Sequence, residues 1–492
     1  MMDLKNMTVE ERNRAVAMWG IAACVFAAAM GWMLMRFGIS WSVADLPESD
    51  NMVRIIPAYI ISEIAMMPIG AKLVDLYGVR KVLIFGPLIF ILGSILSIVS
   101  LNVEMLIAFR FIEGIGGGLV LGLAFTAVGK YYEADKRNQC HELMTASFAF
   151  GSLFAAAIGY FFTSTFNWRA GFIMLALVMM LGLIMAWKLL PEQEGTRKPL
   201  DWTNTALVTL LFGVAAYYTQ SVNVDYKLLS VESAIVVVVI IALLALVFWH
   251  SKRSDDPLIP MGITLFEKKV IILMFLFSMC GLGLIQYYFK VYLTYYEFDI
   301  YMASLNFLIM ILGAAVPSLI GCKLVMKTGI RPWVTVGAIV VTISLVMTHF
   351  LASESTFFFA LCLFVFGAGL GMIVTELIIS LQSITPKKDM GQHTGNLMAV
   401  RMIGILVGNA VVGAYIKEVV QGGYVSEIID LSASKSILAD IGVHITNDLQ
   451  YMSSALNDGF TVTVLIMAVV TAILAVVAYT LKRFDLENRC DE

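Results

Sequence analysis

Gly70-Ala71-Lys72-Leu73-Val74-Asp75-Leu76-Tyr77-Gly78-Val79-Arg80-Lys81 is a short charged stretch wedged between two long apolar runs. A second stretch, Gly321-Cys322-Lys323-Leu324-Val325-Met326-Lys327-Thr328-Gly329-Ile330-Arg331-Pro332, repeats its spacing: Gly-x-Lys-Leu-Val-x-x-x-Gly-(Val/Ile)-Arg. It too lies between apolar runs. Two such loops imply two related halves, and in a helical membrane protein such repeats form two pseudo-symmetric bundles with a path between them.

The rest of the chain has the composition of a bilayer protein. Of its 492 residues, 60% are hydrophobic and 14% charged, with a mean hydropathy of +0.86, too apolar for an ordinary soluble domain. A net charge of −3 and short, scattered basic clusters give no reason to expect nucleic acid as a partner. The six cysteines form no CxxC pair, so neither a disulfide framework nor a metal site is indicated. No phosphate-binding Gly-x-x-x-x-Gly-Lys-(Ser/Thr) loop is present, and the five histidines are scattered without a nucleophile–His–acid arrangement. An enzyme is disfavoured, and no cofactor is expected beyond a proton gradient. The first apolar run lacks a small-residue cleavage site and reads as a retained helix.

A spanning helix needs about 20 mostly apolar residues. Fourteen such runs are present, with cores at 16–38, 53–71, 82–100, 104–127, 143–163, 168–189, 203–219, 231–250, 270–293, 302–322, 333–351, 356–381, 394–416 and 460–481. Lys and Arg concentrate in alternate connections, including Lys72, Arg80 and Lys81, Lys130, Lys136 and Arg137, and Lys323, Lys327 and Arg331. By the positive-inside rule those loops and both termini are cytoplasmic. The expected fold is an all-α integral membrane protein with 14 transmembrane helices: a six-helix bundle at 1–190, two inserted helices at 191–267, and a second bundle at 268–492. The long outer loop at about 417–458 has room for a short surface helix.

The ordered set of short motifs resembles the major facilitator superfamily, and more closely its fourteen-helix drug:proton antiporter branch. The 70–81 stretch looks like the family's loop between helices 2 and 3, and Ala58-Tyr59 like its Ala-Tyr pair. Leu106 to Gly116 looks like the helix 4 motif, with Glu113 where Gln is commoner. Trp168-Arg169, Asp201-Trp202, Asp256-Pro257-Leu258 and Gly391-Gln392-His393-Thr394-Gly395 with Arg401 also match that branch. Two features depart from it. The helix 5 motif is reduced to Gly151 to Tyr160 without its proline, and the first run has no acidic residue but carries Arg36.

Ionisable groups within apolar runs cost at least about 2.5–3.5 kcal/mol and each needs a reason. Glu63, near the middle of the second run, reads either as a proton carrier or as a neutral acid bonded to a neighbouring helix. Arg110 and Glu113 stand three residues apart on one helix face and form either a proton-operated switch or a static pair; the resemblance implies a coupling role for the arginine. Glu376 faces either an inner cavity or a loop lysine. Arg36 and Lys290, one in each half, either snorkel to the interface or attract an anionic or amphipathic substrate, with Tyr287 and Tyr288 beside Lys290. Gly70, Asp75, Gly78, Arg80 and Lys81 are expected to form a conformational latch, in which Gly78 permits the turn and Asp75 receives a helix N-terminus or a cation.

The expected protein is therefore a secondary transporter in the cell membrane, exporting amphipathic small molecules against protons by alternating access. Proton-coupled movement of an organic anion, uptake included, is the alternative. A lipid translocator and a membrane sensor without flux are rivals from other classes. Substrate, protons and the lipid bilayer are the expected partners.

Overall fold

The structure is a computed structural model. It describes residues 8–280 except 48–49, 133, 166, 193–194, 197–198, 223–229, 255 and 261–263, and then residues 309–310, 312–314, 317, 328–351, 356–431 and 464–481. The apolar runs fold as helices: α1 (Val9–Asp45), α2 (Ile55–Tyr77), α3 (Val79–Ile98), α4 (Val103–Tyr131), α5 (Ala134–Thr165), α6 (Trp168–Leu189), α7 (Trp202–Ser221), α8 (Val231–Ser251) and α9 (Leu265–Ser278). Then come α10 (Ile330–Leu351), α11 (Thr356–Ile384), α12 (Met390–Leu431) and α13 (Val464–Tyr479). Nine helices among the described residues are long and apolar enough to cross a membrane, where only helices or closed barrels satisfy every backbone group internally.

Polar residues just outside the apolar runs set the starts. Thr8 and Glu11 form a capping box on α1, and Thr264 and Glu267 form another on α9. Asn102, Asn167, Asp201 and Ser230 each accept a backbone N–H at the start of α4, α6, α7 and α8. Between α2 and α3 the chain reverses at Gly78, whose φ of 85° suits a residue without Cβ. Gly329, its counterpart in the second repeat, has a φ of 81°. The two repeats thus share a left-handed φ at this glycine.

Helix ends depart from the apolar counting. The first run continues to Asp45 and the thirteenth to Leu431, well into the segment read as an outer loop, because polar residues extend a helix that hydropathy alone cuts short. Glu63 lies eight residues after Ile55, about 12 Å along a helix of roughly 34 Å. It is therefore nearer the end remote from Gly78 than its place in the second run suggests.

The tightest packing joins α2 to α4. A Cβ on Gly114 would strike the Ser62 hydroxyl and the Tyr59 carbonyl, so only glycine lets the two backbones come this close. α1 packs on α5 and α6, α3 on α4 and α6, and α10 on α11. The N-terminal helices meet the C-terminal ones where α2 and α4 pack on α12 and α5 packs on α11. α7 lies against α2 and α12, while α8 packs on α7 and leaves most of its valines and isoleucines exposed.

Candidate functional site

Five helices converge on a closed polar core. The Arg110 guanidinium pairs with Glu113 at 2.8 Å and donates to the Gly31 carbonyl of α1 at 2.6 Å. It lies over the Tyr59 ring at 4.2 Å and over Phe172 of α6 at 5.8 Å. Ser94 of α3 donates to the other Glu113 oxygen at 2.9 Å. All of Arg110, Glu113, Glu63 and Tyr59 are fully buried. An ion pair so placed offsets its desolvation only through good geometry and extra hydrogen bonds, and the Gly31 carbonyl, the Ser94 hydroxyl and the Tyr59 face supply them.

Glu63 joins this core through Tyr59. The tyrosine hydroxyl lies 2.8 Å from the Ala28 carbonyl and 3.0 Å from Glu63 Oε1, while Glu63 Oε2 has no hydrogen-bond partner. A phenol has one hydrogen, and a carbonyl only accepts. Both contacts are hydrogen bonds only when Glu63 is protonated and donates to Tyr59, which in turn donates to Ala28. The arrangement therefore accommodates a neutral acid beside a neutralised arginine, a composition able to gain or lose one proton.

At the end of the bundle carrying Gly78, a second network crosses between the halves. Asp75 accepts the backbone N–H groups of Gly391 at 3.0 Å and Gln392 at 2.8 Å, so it caps the first turn of α12, and it pairs with Lys130 of α4 at 2.7 Å. A carboxylate there complements the helix dipole. Lys72 pairs with Asp256 at 2.8 Å and donates to Gln392, whose amide donates to the Pro257 carbonyl. Gly70 fits against the Leu119 backbone of α4. Arg80 does not join Asp75. The Gly78 turn carries it to Glu192, at 2.9 Å in an exposed pair, and Lys81 is exposed.

Further polar residues complete this network, Gln382 and His141 among them without any motif to mark them. Gln382 of α11 donates through Nε2 to the Phe125 carbonyl and to Thr394 Oγ1, so its Oε1 is the acceptor for His141 Nε2 of α5 at 2.8 Å. Arg137 donates to the Gln382, Tyr132 and Gly129 carbonyls. His393 of α12 meets Glu267 of α9 at 3.1 Å. An uncharged Gln in an apolar run is a weak signal, and these partners lie up to 257 residues apart.

The inserted pair is held at the same end. Asp201 accepts from Asn204 N–H, from Ser254 at 2.5 Å and from His250 at 3.2 Å. Partial burial opposes its ionisation, yet these donors together hold its carboxyl below the ordinary aspartate value. Asn204 also donates to Ser251 and accepts from Leu258 N–H.

The remaining candidates are dispersed. Glu376 is buried on α11, its Oε2 without a partner, with Glu142 of α5 as its electrostatic neighbour. Arg36 falls within α1, and its side chain lies outside the described residues, as do Tyr287, Tyr288 and Lys290. Among the described residues no cluster of His, Cys, Asp and Glu could hold a metal ion.

Comparison with known proteins agrees with this architecture. A model of the Major Facilitator Superfamily matches residues 21–409. The multidrug transporter protein MdtP of Bacillus subtilis is 24% identical over 420 residues, covering 80% of this chain and 74% of that protein. Among solved structures, the human organic anion transporter MFSD10 aligns with a TM-score of 0.64 at 13% identity, over 96% of this chain and 100% of that one. The proton:xylose symporter XylE aligns with a TM-score of 0.63 at 13% identity, over 95% of each.

Proposed function

The chain belongs to the Major Facilitator Superfamily of membrane transporters, and from that premise we propose that it exports amphipathic small molecules in exchange for protons by alternating access. The observation that carries the coupling is the Tyr59 hydroxyl, whose one hydrogen cannot serve both the Ala28 carbonyl and Glu63, beside the buried Arg110–Glu113 pair. Export is supported by the multidrug transporter among its relatives.

In this reading the Gly78 end faces the cytoplasm of a cell-membrane protein with both termini inside. Residues 1–190 and 268–492 are the two rocking bundles, and 191–267 carry the inserted pair. Asp75, Lys130 and the first turn of α12 keep the cytoplasmic end shut; Lys72, Asp256 and Gln392 reinforce them. Release of a proton from Glu63 leaves a carboxylate facing Arg110 and the Tyr59 hydroxyl. The altered charge in the core is the bias that tips one bundle against the other.

The test is proton release or uptake by proteoliposomes on addition of cationic, neutral and anionic amphipaths, with wild type, Glu63→Gln and Glu113→Gln compared. Substrate-evoked proton movement in the wild type, lost in both variants, is the expected result, and its sign gives the direction. Flux of labelled substrate with no proton movement would sink the coupling. Proton-coupled movement of an organic anion is the second reading, favoured by a buried arginine in the C-terminal half.

A further inference from the structure

That arginine is Arg401. It is 8% exposed, its Nε has no hydrogen-bond partner, and no acid among the described residues pairs with it. Arg110, by contrast, has a carboxylate, a carbonyl and two aromatic faces around it. A buried guanidinium left without a counter-charge is costly, and such charges in membrane proteins face a pathway or a partner.

A second orphaned donor lies on α9, the helix packed against this part of α12. Gly404 lies one turn after Arg401 on the same face of α12, and a Cβ there would come 2.6 Å from the Phe275 carbonyl and 3.1 Å from Ser278 Cβ of α9. Gly408, one turn further, lies against the Met279 backbone. The two helices therefore run in direct contact at this level, with Ser278 against Gly404, one turn from Arg401. Ser278 is buried, and its hydroxyl has no partner. Directly after Ser278 the backbone loosens into π-helical conformation at Met279 and Cys280, a distortion that recurs at functional sites.

We infer that Arg401 and Ser278 form the binding site for the carboxylate of an amphipathic substrate, the guanidinium supplying charge and paired N–H donors and the serine a further O–H. Buried apolar side chains on the same two helices, Phe277, Met274 and Ile405 among them, suit the tail of such a molecule. This rests on the reading of the chain as a transporter of amphipaths and names their headgroup.

The experiment titrates the full chain in phosphatidylcholine nanodiscs with dansyl-labelled undecanoic acid and, separately, with its methyl ester. The wild type is expected to bind the acid at least about ten-fold more tightly than the ester, since a charge-assisted bidentate contact is lost on esterification. Arg401→Gln should bring the affinity for the acid down to that for the ester. Arg401→Lys, which keeps the charge but not the fork, should retain part of the preference, and Ser278→Ala should weaken it by roughly two- to five-fold. Equal wild-type affinities for acid and ester overturn the site. So does a preference that survives in Arg401→Gln, which would make Arg401 a packing residue. Should Arg401→Gln not fold, Arg401→Lys and Ser278→Ala carry the same comparison. Flux of both probes in proteoliposomes is measured alongside: flux without acid preference overturns the site and leaves the transporter standing, whereas acid preference without flux upholds the site and counts against transport.

Discussion

Asp75 and Gly391 are 316 residues apart in sequence and 3.0 Å apart in space. The bond joins the end of α2 to the start of α12 and so crosses between the two repeats. Asp75→Asn keeps one acceptor and loses the charge that faces Lys130 and the helix N-terminus, a change of about 1–3 kcal/mol for charge-assisted hydrogen bonds. The expected outcome is a less firmly closed Gly78 end. In a background where Cys140 is the one remaining thiol, the buried Cys140 should react with a maleimide several-fold faster in Asp75→Asn than in the parent. An unchanged labelling rate would mean that Asp75 does not hold the end shut.

Replacing Glu63 separates its chemistry from its packing. Glutamine has the shape of a protonated carboxyl and can still donate to Tyr59. Glu63→Gln should therefore melt within about 1 kcal/mol of the wild type while losing substrate-evoked proton movement. Glu63→Ala removes the donor and leaves a cavity beside Arg110, and should cost about 2–4 kcal/mol. Thermal unfolding in detergent distinguishes the two.

The positive φ at Gly78 and Gly329 makes alanine unfavourable at both positions. Gly78→Ala and Gly329→Ala should each destabilise by about 1–2 kcal/mol. Gly213, inside α7, has only Ala65 nearby, at 3.7 Å from an added Cβ; Gly213→Ala should be neutral or stabilise by up to about 1 kcal/mol. A melting series of the three variants checks the contrast.

Asp201 gives an acid-side signature. Its carboxyl is held below the ordinary value by Asn204, Ser254 and His250 despite the opposing effect of burial. Its contribution is thus present above the unfolded-state value near pH 4 and is lost as pH falls through the lower folded-state value. Melting temperature should fall more steeply below about pH 4 in the wild type than in Asp201→Asn, and at pH 7 the variant should be the less stable of the two. Parallel acid limbs would show that Asp201 adds nothing at this end.

Much of this fold is legible in the sequence because the bilayer restricts the choices to long apolar helices. The repeat was visible as Gly-x-Lys-Leu-Val and reappears as two glycines of matching φ. Glu63, Arg110 and Glu113 stand out because charge within an apolar run is rare. Their mutual arrangement does not, since Tyr59 of α2, Ser94 of α3 and the Gly31 carbonyl of α1 tie them together through contacts that only the folded helices create. The same holds at the Gly78 end. Asp75 announces itself, but Lys130 as its cation is fixed by how α2 crosses α4, and nothing local tells Lys130 from Arg80. Gln382 and Ser278 carry almost no signal, because uncharged polar side chains in an apolar run become meaningful only when their partners are known.

The two inserted helices are tied in unevenly. Most of the polar ties that hold them, Asp201 to Ser254, Asn204 to Ser251 and Leu258, and Lys72 to Asp256, are gathered at one edge, while α8 touches the rest of the protein mainly through α7. Such a pair hangs on the bundle by α7 and one polar edge, which leaves α8 free to shift with its partner without disturbing the polar core around Arg110.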